Sequence, residues 1–205
     1  LQSSAPSIQG ALEEAVKRLT GESLRIYGAG RTDAGGHAVG QVVRFDTLSG
    51  LAIERFLPGL NYYLPEDIAV RAVSEAPADF DPRRHAIARV YRYALLESDA
   101  RSPLRGRFAH HVGHALDVAA MQTALEGLQG ERDFAPYCGN LPDGGSTVRF
   151  LYRTQVWRQD VDEVLLELKA NAYLHQQVRR ITAAVLQVGL GKTTLDEFTA
   201  VADSK

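Results

Sequence analysis

Cysteine is almost absent from this chain. Cys138 is the single one in 205 residues, which excludes an internal disulfide and any cysteine-rich zinc site and leaves a small buried residue as its default role. Long apolar runs are missing too: none approaches the roughly 20 residues of a membrane-spanning helix, and no charged-then-apolar leader opens the chain. A cytoplasmic protein without a membrane partner is expected, and the opening LQSSAPS allows that residues of a natural N-terminus are absent. A strong net charge is also lacking. At −2 there is no bulk signature of nucleic-acid binding, which often shows as a basic domain. Lysine is absent between Asp81 and Arg107, where seven arginines (Arg83, Arg84, Arg89, Arg92, Arg101, Arg105, Arg107) stand against Asp81, Glu97 and Asp99. A solvated face would mix signs and include lysine, whereas arginine's planar fork suits phosphates and stacked bases. With 45% hydrophobic and 23% charged residues, the chain can bury a real core as one or two domains.

What is present centres on Gly28–His37, GAGRTDAGGH. Four glycines permit a sharp bend and a close approach to the main chain, so Arg31, Thr32, Asp33 and His37 point outward together from one loop. Taken alone, such a cluster is more often a strand-to-strand connection with an Asx-type turn than a site. A dinucleotide fingerprint is excluded, because it needs glycine where Asp33 stands and a helix directly after. The residues that follow, VGQVVRFDT, have the composition of a strand.

Hydrophobic spacing predicts the elements around this loop. Ser7 caps a helix over IQGALEEAVKRLT that Gly21 stops; Leu24–Tyr27 and Val39–Asp46 are strands entering and leaving the loop; Ile53–Leu60 is a short helix interrupted by Pro58. Strands follow at Ile68–Ser74 and Ile87–Leu96. Asp117 caps a helix through Leu128 that Gly130 closes, and Val148–Arg158 with Val164–Ala170 forms a hairpin turned by QDVDE. Asn171 caps YLHQQVRRITAAVLQV, striped by Leu174, Val178, Ile181 and Val185 and ended by Gly189, and Thr194 with Glu197 makes a capping box for a last short helix. Each half approximates a split βαβ unit. The fold class is therefore α+β: two ferredoxin-like pseudo-repeated halves, 1–97 and 98–205, in a mainly antiparallel sheet with helices on one face and a central cleft, the terminal strands missing.

Three constellations compete as sites. GLGKTT, Gly189–Thr194, lacks the first glycine of a phosphate-binding loop, which would fall at Leu186, and a helix precedes it where a strand is required. It is a helix stop followed by a helix start. His110, His111 and His114 have no nearby cysteine or carboxylate, and Gly113 interrupts any helix that would align them, so a solvent-facing or RNA-facing loop is expected and no metal. The third set is Asp33, Tyr91 and Arg179. Tyr91 and Tyr93 lie two apart and share a strand face, with Arg92 on the other. Arg179 follows Val178 at the edge of an apolar stripe, where an unpaired charge is costly, and Asp33 is a candidate partner. Two tyrosines on one strand face also fit plain packing.

In order and spacing, GAGRTDAGGHAVGQVVRF, LNYYLPEDIAV, RVYRY and NAYLHQQVRRI resemble the TruA-type tRNA pseudouridine synthases, from Ser7 to about Gly191. The resemblance implies an isomerase that converts uridine to pseudouridine at positions 38, 39 and 40 of the tRNA anticodon stem-loop, as a homodimer with tRNA as partner and without metal or organic cofactor. By the same match Asp33 is the catalytic aspartate, Tyr91 the active-site tyrosine and Arg179 the arginine that pairs with the aspartate; Arg31 displaces the target base, with Thr32 and His37 beside it. Arg83, Arg84, Arg89 and Arg92 are the expected RNA contacts. Gly36 stands where the family more often has valine, and Arg84 and His85 where it often has an aromatic and a small residue. The family's opening strand, with its Asp-Gly and Tyr-x-Gly-aromatic-Gln signature, and its closing strand are not in the sequence. Two other classes remain open: a non-catalytic RNA-binding sheet, and a phosphate-ester hydrolase, which would want a second carboxylate or a metal cluster.

Overall fold

In the computed structural model, residues 6–140 and 144–204 are described, and the chain divides into two compact units, 1–86 and 87–205. The first unit begins at Ser7, whose hydroxyl accepts the Gly10 amide at 3.1 Å. Helix α1 runs from Ile8 to Thr20, the predicted span, and Gly21 closes it at φ +81 with its amide on the Lys17 carbonyl, a left-handed cap that glycine takes without a Cβ penalty. Leu12, Ala15 and Val16 turn inward onto Phe56 and Leu60 of α2, Phe56–Tyr63, which a 3-10 turn at Ile53–Arg55 precedes. Pro58 does not break this helix, because it sits in the first turn, where no intrahelical partner is owed to its nitrogen. The two helices approach closely at Gly59, where a Cβ would lie 2.5 Å from a Leu19 methyl.

The strands of this unit are shorter than predicted. β1 is Tyr27–Gly28 and pairs antiparallel with β2, Val43–Arg44. Upstream, Ile26 has its backbone satisfied by α1 side chains: its amide donates to Glu13 Oε1 at 3.1 Å and its carbonyl accepts from Gln9 Nε2 at 3.1 Å. Side-chain bonds of this kind replace a ladder. Residues 68–74, predicted as a strand, form none among the described residues. There the Asn61 amide takes both backbone groups of Val70, at 2.7 and 2.8 Å.

The second unit is a five-stranded sheet in the order β4-β3-β7-β6-β5. β3 is Arg89–Glu97, β6 Val148–Asp160, β7 Glu163–Ala170 and β5 Gly130–Asp133, paired antiparallel with one another in the order β3-β7-β6-β5. β4, His110–Val112, lies parallel to β3. Its histidines were expected in a loop. Instead Leu95 faces His110 and Leu96 faces His111, and the crossover of about a dozen residues that parallel pairing requires is residues 98–109.

Alternation in the strands assigns their faces. Val164, Leu166, Leu168 and Ala170 are fully buried with Met121 and Leu125 of α3 (Val118–Glu126), Val178, Ile181, Val185 and Val188 of α4 (Gln177–Gly189), and Phe198 of α5 (Leu195–Ala202). Asp117 caps α3 through the Ala120 amide, and Thr194 and Glu197 form the predicted capping box for α5. α3 and α4 meet at Gly189, where a Cβ would stand 2.5 Å from Met121 Sδ.

Two predicted boundaries are corrected. Gly130, expected to close α3, adopts φ +91 and opens β5; the helix has already ended at Glu126. Asn171, expected to cap α4, instead accepts the amides of Phe150 and Ala172 on its Oδ1, at 3.0 and 2.7 Å, a bond back to β6 that holds it beside the sheet. α4 starts six residues later, behind Gln176 at φ +59. The observed class is a mixed α+β fold with a mainly antiparallel sheet, and among the described residues no helix is long and apolar enough to cross a membrane.

Candidate active-site loop and tyrosine strand

In the first unit the glycine loop is a connection between two paired strands, built around one tight turn. The Ala29 amide donates to the Val42 carbonyl at 2.9 Å, and the Gly36 amide donates to the Asp33 carbonyl at 2.9 Å. Gly35, third in this four-residue turn, has φ +77, the conformation a type II turn demands of that position. Gln41 Nε2 closes the loop from outside on the Gly30 carbonyl at 2.8 Å. Arg31, Thr32, Asp33 and His37 are all exposed. The turn is thus real, and Asp33 stands exposed on it. A Cβ on Gly36 would come 3.1 Å from the Asp33 carbonyl oxygen, so this glycine lets the turn close tightly on Asp33.

Arg83 and Arg84 belong to the same unit, and their backbone is organised by Asp81. Its Oδ1 accepts both amides, at 2.9 Å from Arg84 and 2.8 Å from Arg83. These two bonds hold the Asp81 carboxyl below its ordinary range. Both arginine side chains reach solvent, Arg84 with 86% of its side chain exposed.

In the second unit Tyr91 and Tyr93 share the helix-bearing face, opposite Leu168 and Leu166, as their spacing predicts. Tyr93 packs against the core, whereas Tyr91 remains 41% exposed, enough ring to meet a ligand. Tyr91 also meets a residue the sequence reading missed: Tyr173, edge to face, with centroids 5.1 Å apart and planes at 87°. The Arg89 guanidinium donates to the Asn171 carbonyl at 3.0 Å, tying the start of β3 to the segment that carries Tyr173. Arg179, expected at the margin of the buried stripe, is exposed on the first turn of α4, and Val178 alone of the pair is buried.

Arg92 points to the other face, and there it has a structural partner. Glu167, with 7% of its side chain exposed, holds Arg92 at 2.7 Å and Arg153 at 2.6 Å. Burial alone would raise the Glu167 carboxyl; the two guanidiniums overcome this and leave it below the ordinary range. Arg92 further lies over the Trp157 ring, 5.4 Å from its centroid. Arg105, another of the seven, is bound to Asp162. The arginine-rich segment therefore divides its charges between solvent and carboxylates. A signal for Glu167 was present in VLLELKA, because a carboxylate among buried leucines needs a cation. Tyr173 carried no signal beyond being an aromatic residue near a helix start.

Asp33 lies in the first unit, and Tyr91 and Arg179 in the second. Among the described residues no three histidine, cysteine or acidic side chains gather as a metal site. His111, one of the histidine cluster, has its Nε2 at 2.6 Å from the Ser98 carbonyl.

Comparison with known proteins places the chain in a family. The tRNA pseudouridine synthase profile matches residues 124–205. The tRNA pseudouridine synthase A of Roseiflexus sp. (strain RS-1) is 44% identical over 205 aligned residues, covering 98% of this chain and 75% of the relative. That of Chloroflexus aurantiacus (strain ATCC 29366 / DSM 635 / J-10-fl) is 43% identical over 208, covering 100% and 74%, and that of Halalkalibacterium halodurans 36% identical over 202, covering 98% and 76%. Identity at this level across nearly the whole chain shows that the chain belongs to the tRNA pseudouridine synthase family.

Proposed function

We propose that this protein isomerises uridine to pseudouridine at positions 38, 39 and 40 of the tRNA anticodon stem-loop, as a cytoplasmic homodimer built from two ferredoxin-like halves, with Asp33 as nucleophile. The observation that carries this reading is the exposed Asp33 on a turn closed by Gly35 and Gly36, in a chain so closely kin to tRNA pseudouridine synthases.

The reaction breaks the bond from ribose C1′ to N1 and forms one from C1′ to C5. The C5 proton leaves to solvent and N1 acquires one, so no oxidant or reductant is consumed. Asp33 supplies the ionised nucleophile, adding to C1′ or to the base. The family resemblance makes Arg179 its partner, a cation that keeps the nucleophilic carboxylate ionised. Tyr91 offers its exposed ring to the uracil and its hydroxyl to a proton transfer. A base in a paired stem must first be flipped out, at a cost of a few kcal/mol; Arg31 takes that task, with Thr32 and His37 beside it on the loop. Arg83, Arg84 and Arg89 serve the phosphates. Arg92 is the weakest of the four in that role, since Glu167 already holds its guanidinium.

The test follows release of the C5 hydrogen from uridine-labelled tRNA. The purified protein is expected to release it, and Asp33→Ala to abolish release while folding and tRNA binding survive. Release at an unchanged rate in Asp33→Ala overturns the mechanism. Arg179→Leu is expected to lower the rate strongly, with tRNA affinity reduced far less.

A further inference from the structure

We propose that Tyr173 is a positioning residue for the reaction: its ring, held at the edge of the core, fixes the plane of Tyr91 against the target uracil. This rests on the reading of Tyr91 as the base-facing tyrosine. Strand pairing fixes the backbone of Tyr91 opposite the buried Leu168, but with the residue 41% exposed its ring still turns about its side-chain torsions. A second ring at 5.1 Å and 87° narrows that freedom, because aromatic pairs favour this perpendicular geometry.

Tyr173 is suited to act as the fixed member. Its ring packs against the core, and its segment is pinned on both sides. On one side Asn171 bonds to Phe150 and Ala172 through its side chain and to the Arg89 guanidinium through its carbonyl. On the other, the buried Leu174 donates its amide to Gln177 Oε1 at 2.8 Å. The Tyr173 hydroxyl is buried and has no hydrogen-bond partner among the described residues. Left unpaired in a buried place, a hydroxyl is a cost to stability, so the ring is what this position contributes to packing.

The experiment measures kcat and KM for pseudouridine formation in tRNA, with tRNA affinity and melting temperature alongside, for Tyr173→Phe, Tyr173→Leu, Tyr91→Leu and the double variant. Tyr173→Leu is expected to lower kcat about three- to tenfold, the scale of one aromatic pair, with tRNA affinity unchanged. Tyr173→Phe keeps the ring and is expected to stay within about twofold of the parent, by the same geometry. In the double variant kcat should fall no further than in Tyr91→Leu alone. If Tyr173→Leu does not fold, Tyr173→Met, which fills similar space without a ring, replaces it with the same expectation. A full kcat in the folded ringless variant overturns the proposal, as does a Tyr173→Phe variant as slow as Tyr173→Leu. An unchanged rate in Tyr91→Leu instead overturns the placement of Tyr91 on which the proposal stands.

Discussion

Glu167→Gln tests the polar cluster on the face of the sheet away from the helices. The Glu167 side chain is 7% exposed and accepts from Arg92 Nε at 3.2 Å, Arg92 Nη2 at 2.7 Å and Arg153 Nη2 at 2.6 Å. Glutamine has the same shape, and its oxygen can still accept from one guanidinium. Its NH2 group, however, faces the other guanidinium, so one charge-assisted bond is lost and two donors oppose each other in a buried place. A hydrogen bond to a charged group contributes about 1.5–3 kcal/mol. Both arginines have more than half their side chains in solvent, 56% and 55%, which scales this down toward exposed-pair values, to about 1 kcal/mol. In a domain of this size that is a fall in melting temperature of roughly 3–7 °C at pH 7. Trp157, the one tryptophan, sits beneath Arg92, and its fluorescence reports unfolding of this sheet specifically.

The sign of the pH dependence follows from the depressed carboxyl. Its stabilisation is fully present above the ordinary glutamate value of about 4.3 and is lost as pH falls through the lower folded-state value. The gap between parent and Glu167→Gln should therefore narrow as pH falls below the ordinary glutamate range and through the lower folded-state value. Other carboxylates titrate equally in both proteins and cancel from the difference. A gap that stays constant over this range, or equal stability at pH 7, refutes the electrostatic account of the cluster.

Two further substitutions probe packing and the loop. Gly189→Ala should destabilise the second unit by about 1–3 kcal/mol, because the new Cβ would stand 2.5 Å from Met121 Sδ, a side chain that is 0% exposed and cannot swing into solvent; denaturant midpoints followed by Trp157 fluorescence check this, and a midpoint equal to the parent's contradicts it. Gly35→Ala forces a Cβ onto φ +77, at a local cost of roughly 1 kcal/mol or more, and should slow C5 hydrogen release while leaving the melting of the second unit unchanged; an unaltered rate would mean that the turn does not aim Asp33.

Much of this protein was legible in its residues because local rules act over a few positions. Ser7 and Gly21 bound α1 at the predicted residues, Thr194 and Glu197 start α5, and the two-residue spacing of Tyr91 and Tyr93 put both on one face with Arg92 on the other. The Asp33 loop, too, was readable as a glycine turn that displays its side chains. Other outcomes depended on partners distant in sequence. Asn61 takes the backbone groups that residue spacing assigned to a strand at 68–74, and Asn171 was drawn to Phe150 and away from the start of α4. A side chain that can serve a local cap or a remote amide is assigned only when the remote amide arrives.

The same distinction governs the site. Composition and order determined that the chain carries a displayed carboxylate, a tyrosine strand and an arginine-rich segment. Only the tertiary structure decided which arginines face solvent and which are committed to Glu167 and Asp162, and only it brought Tyr173 against Tyr91 across 82 positions of sequence. The physical reason is that charge pairing and ring contact reach only a few ångströms, and which residues come within that reach is settled by strand register and not by their order in the chain.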